Sequence, residues 1–144
     1  MRLSARSRYA VRLLLELALC KPDLPTPAAV LAERTGITPL FVEQLLKLLR
    51  KAGLTKSKRG ATGGHSLAKP SREITLFDVV DLMEGGLSLL DCCQESPDAC
   101  FDCPRMGSCP VRSTWQKVIG VLRDELRSIS LADILASNGH TAVF

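Results

Sequence analysis

Aromatic side chains are scarce in this chain, with one Trp, one Tyr and four Phe among 144 residues. A core without them must be aliphatic, built from Leu, Val and Ala, and that composition favours helix over sheet. No apolar run approaches the ~20 residues that a membrane span needs. The stretch Tyr9–Cys20 follows Arg2, Arg6 and Arg8 as an export signal would. Arg12 and Glu16 interrupt it, however, and Lys21-Pro22-Asp23 stands where a small-residue cleavage site belongs. The expectation is a buried helix in a cytoplasmic protein that does not engage the membrane. The glycine-rich segment Arg59–Gly64 lacks the Gly-Lys-Ser/Thr ending and the strand-then-helix context of a phosphate-binding loop. Only one Cys-x2-Cys pair is present, Cys100 and Cys103, so a zinc ribbon with two such knuckles is not indicated. The βαβ context of a thioredoxin-like dithiol is also missing.

What is present is uneven. The net charge of +4 conceals two opposite halves. Residues 1–72 carry 14 Lys and Arg against 4 Asp and Glu, which is +10; residues 73–144 carry 5 against 11, which is −6. That asymmetry points to a polyanion partner for the first half only. With 46% hydrophobic residues, the chain fits one domain with an appendage.

In chain order, a first helix is expected from about Ser4 to Cys20, with Ser4 as N-cap and apolar residues around most of its circumference. Thr26-Pro27 reads as N-cap and first helical position of a second helix, ended by Gly36. Thr38-Pro39 repeats the start signal for a third, Leu40–Ala52, closed by Gly53. Val42, Leu45, Leu46 and Leu49 form its buried stripe, and Glu43, Gln44, Lys47, Arg50 and Lys51 its polar side. Two short helices around Gly36-Ile37-Thr38 make a helix-turn-helix pattern, whose second helix carries long polar side chains near its start, as a major-groove reader does. Leu54–Lys58 and His65–Ala68 are short enough for strands, and the glycine-rich turn between them completes a β-hairpin wing. Lys56, Lys58 and Arg59 are placed to reach phosphates or a narrow minor groove.

Thr75–Asp78 starts a helix to Glu84 in capping-box fashion, with Leu76, Val79, Val80 and Met83 inward and Gly85-Gly86 as its stop. After Pro110, Val111, Trp115, Val118, Leu122, Leu126 and Ile129 recur at steps of three and four, a stripe suited to packing against another helix. Ser130–Asp133 caps a last short helix to about Ala136. Between these helices lies Asp91–Pro110, which holds five of the six cysteines: Cys92, Cys93, Cys100, Cys103 and Cys109. So short and polar a segment needs a metal or cluster, disulfides or a neighbouring subunit to fix its shape. Thiolates serve zinc and iron–sulfur clusters alike.

Together these residues resemble the winged-helix regulators of the IscR, NsrR and CymR group, the Rrf-two family. The resemblance is carried by Met1-Arg2-Leu3-Ser4 with Arg8-Tyr9-Ala10, by Leu31-Ala32-Glu33 and by Thr38–Leu46. Ser57-Lys58-Arg59-Gly60 with Gly63-Gly64 and Leu67-Ala68 is its most specific stretch; Ile74-Thr75-Leu76, Asp91-Cys92, Cys103, Cys109 and Trp115 follow the same plan. It implies a mainly α fold: a winged helix-turn-helix domain over 1–86, a cysteine-rich sensor loop over 87–110, a dimerisation helix and short terminal helix over 111–136, and a tail over 137–144. It implies no enzyme and no small-molecule substrate, but a homodimeric transcriptional regulator, a repressor in the first instance, on a palindromic double-stranded DNA operator. Thr38, Leu40, Glu43 and Gln44 would face bases, and Lys47, Lys58, Arg59 and Gly60 would meet the backbone. Glu43 repels phosphate but can accept from cytosine N4, or pair with Lys47 within its helix.

By position, the resemblance makes Cys92, Cys103 and Cys109 ligands of a 2Fe–2S or 4Fe–4S cluster that sets operator affinity. Arg8 stands where nitric-oxide-sensing members have an aspartate, and Arg112 follows Cys109 where another branch has a histidine ligand. Neither cation can ligate, so the expected fourth ligand is Cys100, with Cys93 as the alternative. His65 stands where an aromatic is common. The alternative function is a cluster-free regulator controlled by a protein partner or by thiol oxidation; a zinc or redox protein without a DNA role comes after it.

Overall fold

Ser4 Oγ accepts a hydrogen bond from the Ser7 backbone N–H at 3.3 Å and starts helix α1, Ala5–Leu19. In the computed structural model the described residues are 3–21, 24–88, 90, 104–105 and 107–139. Helix α1 is the centre of the fold. Ala10, Leu13, Leu14, Leu17 and Ala18 are buried on several of its sides, and α2 (Ala28–Thr35), α3 (Pro39–Lys51), α4 (Leu76–Glu84) and α6 (Leu131–Ser137) all pack on it. Each buried leucine contributes about 2 kcal/mol by removal from water, and the fully buried core is aliphatic, with Tyr9 and Phe41 packed at its edge.

Helix α2 ends at Gly36, whose left-handed backbone (φ 67°) lets its N–H reach the carbonyls of Ala32 and Glu33. Helix α3 has Pro39 in its first turn and buries Val42, Leu45, Leu46 and Leu49 on one stripe, as expected. The start of α2 differs from expectation. Pro27, not Thr26, is the N-cap. Thr26 is buried, and both its backbone groups are spent on His65: its N–H donates to the His65 carbonyl and its carbonyl accepts from the His65 N–H, each at 2.8 Å. A backbone committed to a strand-like bridge cannot also serve as a helix cap.

The wing is β1 (Thr55–Lys58) antiparallel to β2 (Gly64–Leu67), with Ser57 opposite His65 and Lys58 opposite Gly64. Its tightness demands glycine. A Cβ at Gly63 would lie 2.3 Å from the Lys58 carbonyl oxygen, and one at Gly64 2.5 Å from the Thr26 carbonyl carbon.

A 3-10 turn, Ser71–Glu73, leads into α4, where the Thr75/Asp78 capping box forms as expected. Val79, Val80 and Met83 are buried, while Leu76 is only half-buried. Helix α5 spans Arg112–Ser128, and α6 begins with a second capping box, Ser130/Asp133. The two boxes sit side by side: Thr75 bridges Ser130, Leu76 N–H donates to the Ile129 carbonyl and Leu131 N–H to the Ile74 carbonyl, both at 2.9 Å. Leu131 and Leu135 thereby join the core around α1. The Glu84 carboxylate closes the other end, accepting from Ser4 N–H at 2.9 Å and from the Ser7 hydroxyl. No described helix is long and apolar enough to cross a membrane.

Candidate nucleic-acid interface and the root of the cysteine loop

Because α3 buries one stripe, its opposite face is presented outward. Thr38, Leu40, Glu43, Gln44 and Lys47 are all exposed there, Leu40 at 69% although it is apolar. Lys58, Arg59 and Gly60 are exposed at the end of β1 and the tip of the wing. The expected reading residues therefore fall on two adjoining surfaces of one basic lobe. Glu43 and Lys47 are not paired with each other, so the carboxylate is not spent within its helix.

Two hollows flank α3. An open groove of about 740 Å³ is lined by Arg6, Phe41, Gln44, Lys47, Arg50 and Lys51. Phe41 is fixed there by edge-on contact with Tyr9, ring centres 5.9 Å apart. A second, of about 340 Å³, lies between α3 and the wing and is lined by Glu43, Lys47, Arg50 and His65. Arg50 Nη1 donates to Ser57 Oγ at 3.1 Å, joining α3 to β1. Burial holds the His65 imidazole below its ordinary pKa; the Arg50 charge adds to this and Glu43 opposes it. Arg6, Arg50 and His65 were not among the expected site residues. Arg50 had a visible signal, standing four and seven residues after Leu46 and Glu43 on the helix; Arg6, on another helix, had none.

Of the loop cysteines, Cys109 lies within the described residues: a free, half-buried thiol whose carbonyl accepts from the Arg112 N–H at 3.4 Å at the start of α5. Cys92, Cys93, Cys100 and Cys103 lie outside the described residues. Among the described residues no three His, Cys, Asp or Glu side chains gather as a metal site. The loop's entrance is well defined. Leu87 is buried, its N–H donates to Asp81 Oδ1 at 2.7 Å, and its carbonyl accepts from Arg123 Nη2 at 3.0 Å. Helices α4 and α5 thus grip the chain where the loop departs. Arg8 lies against the Tyr9 ring at 5.9 Å and lines a small hollow of about 290 Å³ with Leu3, Val11, Val80 and Leu126.

Helix α5 and its N-cap Val111 expose several large apolar side chains among their polar ones. Val111, Trp115, Val118 and Val121 are 54%, 42%, 45% and 65% exposed, and Ile119 is the helix's one fully buried side chain among the described residues. Of the expected stripe, Val111, Trp115 and Val118 are exposed and Leu122, Leu126 and Ile129 half-buried; the fully buried Ile119 and the exposed Val121 lie off it, so the helix packs on its own chain by a neighbouring face.

The sequence model of a family described as "Rrf2: Iron-dependent Transcriptional regulator" matches residues 3–137. The chain is 36% identical over 135 residues to the protein named rrf2 of Nitratidesulfovibrio vulgaris, covering 94% of this chain and 87% of that one. Among solved structures, IscR of T. potens superposes with a TM-score of 0.73 at 34% identity, covering 96% of this chain and 88% of the other. CymR of B. subtilis, titled its global cysteine regulator, superposes with a TM-score of 0.74 at 28% identity, covering 95% and 98%.

Proposed function

The chain belongs to the Rrf2 family of transcriptional regulators, and we propose that it works as a homodimeric repressor on a palindromic operator, with affinity set by an iron–sulfur cluster in the 92–109 loop. The observation that carries the DNA-reading part is the junction of a basic wing with the exposed polar face of α3. Thr38, Leu40, Glu43 and Gln44 would face base edges; Lys47, Lys58, Arg59 and the Gly60 backbone would meet phosphates or the minor groove. The unpaired Glu43 carboxylate suits acceptance from cytosine N4 and rejection of sites that bring a phosphate or another acceptor to it. Two such modules reach paired half-sites when the α5 stripe is shared between two copies, which also covers Trp115 and Val118.

Cys92, Cys100, Cys103 and Cys109 would hold the cluster, with Cys93 as the alternative fourth ligand. The donor set fits: soft thiolates are what such clusters take, Cys109 is free and half-buried, and the cations Arg8 and Arg112 cannot ligate. When bound, the cluster supplies a centre whose integrity responds to iron, oxidants or reactive gases. The chain's own contribution is at the root. Asp81 and Arg123 hold both backbone groups of Leu87, and Arg112 is bonded to Cys109, so a change in the loop's order acts on α4 and α5 together.

The test is anaerobic purification with an absorption spectrum and iron and sulfide assays, followed by operator binding before and after cluster removal. The expectation is about stoichiometric iron and sulfide per cluster, loss of both in Cys103→Ser and Cys109→Ser, and a change in affinity on removal. Iron-free protein with unchanged binding would refute the cluster. The likeness to CymR supports the second reading, a cluster-free regulator controlled by a partner or by thiol oxidation, and that result would favour it. Lack of steep salt dependence on any duplex would refute the DNA reading itself.

A further inference from the structure

We propose that Arg50 is a positioning residue for operator recognition: it sets the angle of the wing against α3 through Ser57, rather than meeting the operator's phosphates. The inference rests on the reading of α3 and the wing as the DNA-reading surface.

Arg50 stands on the exposed side of α3 and lines both hollows beside that helix. Its Nη1 donates to Ser57 Oγ at 3.1 Å. Ser57 is in β1, one residue before Lys58 and two before Arg59. Directly opposite it in the hairpin is His65, whose backbone is tied on its other side to Thr26 by two 2.8 Å hydrogen bonds. The hairpin is thus gripped from two sides at one level: β2 by the backbone entering α2, and β1 by a side chain from α3. Beyond that level extend the last residue of β1 and the turn, which carry Lys58, Arg59 and Gly60.

Two strands of four residues are marginal by themselves. Their tilt relative to α3 is therefore set by what holds their base, and the aim of Lys58 and Arg59 follows from that tilt. The Thr26 bridge fixes β2 along the strand direction but acts through the backbone on one edge only. The start of β1 is anchored to α3 by the Leu54 N–H, which donates to the Leu49 carbonyl at 2.9 Å; the Arg50–Ser57 bond adds a second constraint farther along that strand, nearer the tip. His65 is compatible with this role: burial and the neighbouring guanidinium both disfavour its protonation, with Glu43 opposing them. Arg50 makes this bond through one terminal nitrogen of its guanidinium, and a Lys here would have to hold a compact ammonium on a flexible stem in the same place.

The test uses a duplex that the full-length wild-type protein recovers from a random-sequence pool. Affinity is measured for Ser57→Ala, Arg50→Ala, Arg50→Lys and Arg59→Ala, and for their combinations. Loss of one exposed hydrogen bond to a charged group predicts a three- to tenfold weakening, on the order of 1 kcal/mol. Ser57→Ala, which leaves the Arg50 charge in place, should weaken binding as much as Arg50→Ala, and the double variant should lose no more than either. Arg50→Lys should not restore binding. In the Arg59→Ala background, where Lys58 is the one wing-tip cation left to be aimed, both effects should shrink; a merely structural role would persist there in full and would lower thermal stability as well. The proposal is overturned if Ser57→Ala binds like wild type while Arg50→Ala weakens binding in both backgrounds and flattens the salt dependence by about one counterion. Failure of wild type to recover any duplex would instead bring down the underlying DNA reading, and the inference with it.

Discussion

Replacing Gly64 by Ala tests how the wing is attached. The new Cβ would sit 2.5 Å from the carbonyl carbon of Thr26, 2.6 Å from its oxygen and 2.9 Å from the carbonyl carbon of Pro25. All three are backbone atoms and cannot rotate away. Ordinary contact begins near 3.4 Å, so the strand must retreat by roughly 1 Å, which takes 2.8 Å hydrogen bonds beyond bonding range. Losing two backbone bonds at about 1 kcal/mol each, with 1–3 kcal/mol for overpacking, gives a destabilisation of about 3 kcal/mol. The measurement is urea unfolding at fixed protein concentration, with the slope m checked for constancy. Gly60→Ala is the control: nothing lies within 4 Å of its Cβ, and only its backbone conformation (φ 113°) resists the change, at about 1 kcal/mol. Operator binding should weaken in Gly64→Ala as the wing moves. If Gly64→Ala is within about 0.5 kcal/mol of wild type, the Thr26–His65 bridge does not hold the wing and the reasoning is wrong.

Val118→Asp places a charge in the exposed stripe of α5; sedimentation should show a monomer and operator affinity should fall at least about tenfold, and a dimer of unchanged affinity would place the interface elsewhere. Leu131→Ala should cost about 3 kcal/mol in urea unfolding, because this residue near the C-terminus is fully buried in the α1 core; a negligible cost would mean that α6 is not part of that core. The Ser7 hydroxyl, and then the Ser4 amide, hold the Glu84 carboxyl below its ordinary pKa. A depressed carboxylate stabilises the fold above its unfolded pKa, and this contribution disappears as pH falls through the folded value. Wild type and Ser7→Ala should therefore converge in stability with acidification, and a gap independent of pH would contradict the assignment.

Local signals were the legible ones. The α3 stripe, the glycine stop after α2 and both capping boxes are each written within a few residues, and the structure realises them. The wing was legible because Gly63 and Gly64 have no substitute beside neighbouring backbone. Thr26 was misread because its partner His65 is far along the chain, and a one-residue bridge has no period to detect. The Ser7–Glu84 contact and the placement of Arg6 beside α3 were hidden for the same reason. Leu76 matched the helical period but lies half-exposed beside Arg8 and Leu126, because periodicity gives a face without saying how completely it is covered.

The N-terminal part of α5 behaves as a cantilever. From Arg112 to Val118, an overhang of seven residues or about 10 Å ahead of Ile119, no side chain is fully buried among the described residues. Extending an existing helix yields at most a few tenths of a kcal/mol per residue, and Ser113, Thr114, Trp115 and Val118 are below average helix formers. Helix propensity alone therefore leaves the overhang's free energy close to zero. Whatever covers Trp115 and Val118 also decides whether those two turns persist as helix, so association and helix length are one equilibrium. Cys109 stands three residues before the overhang begins, where the balance is most easily tipped.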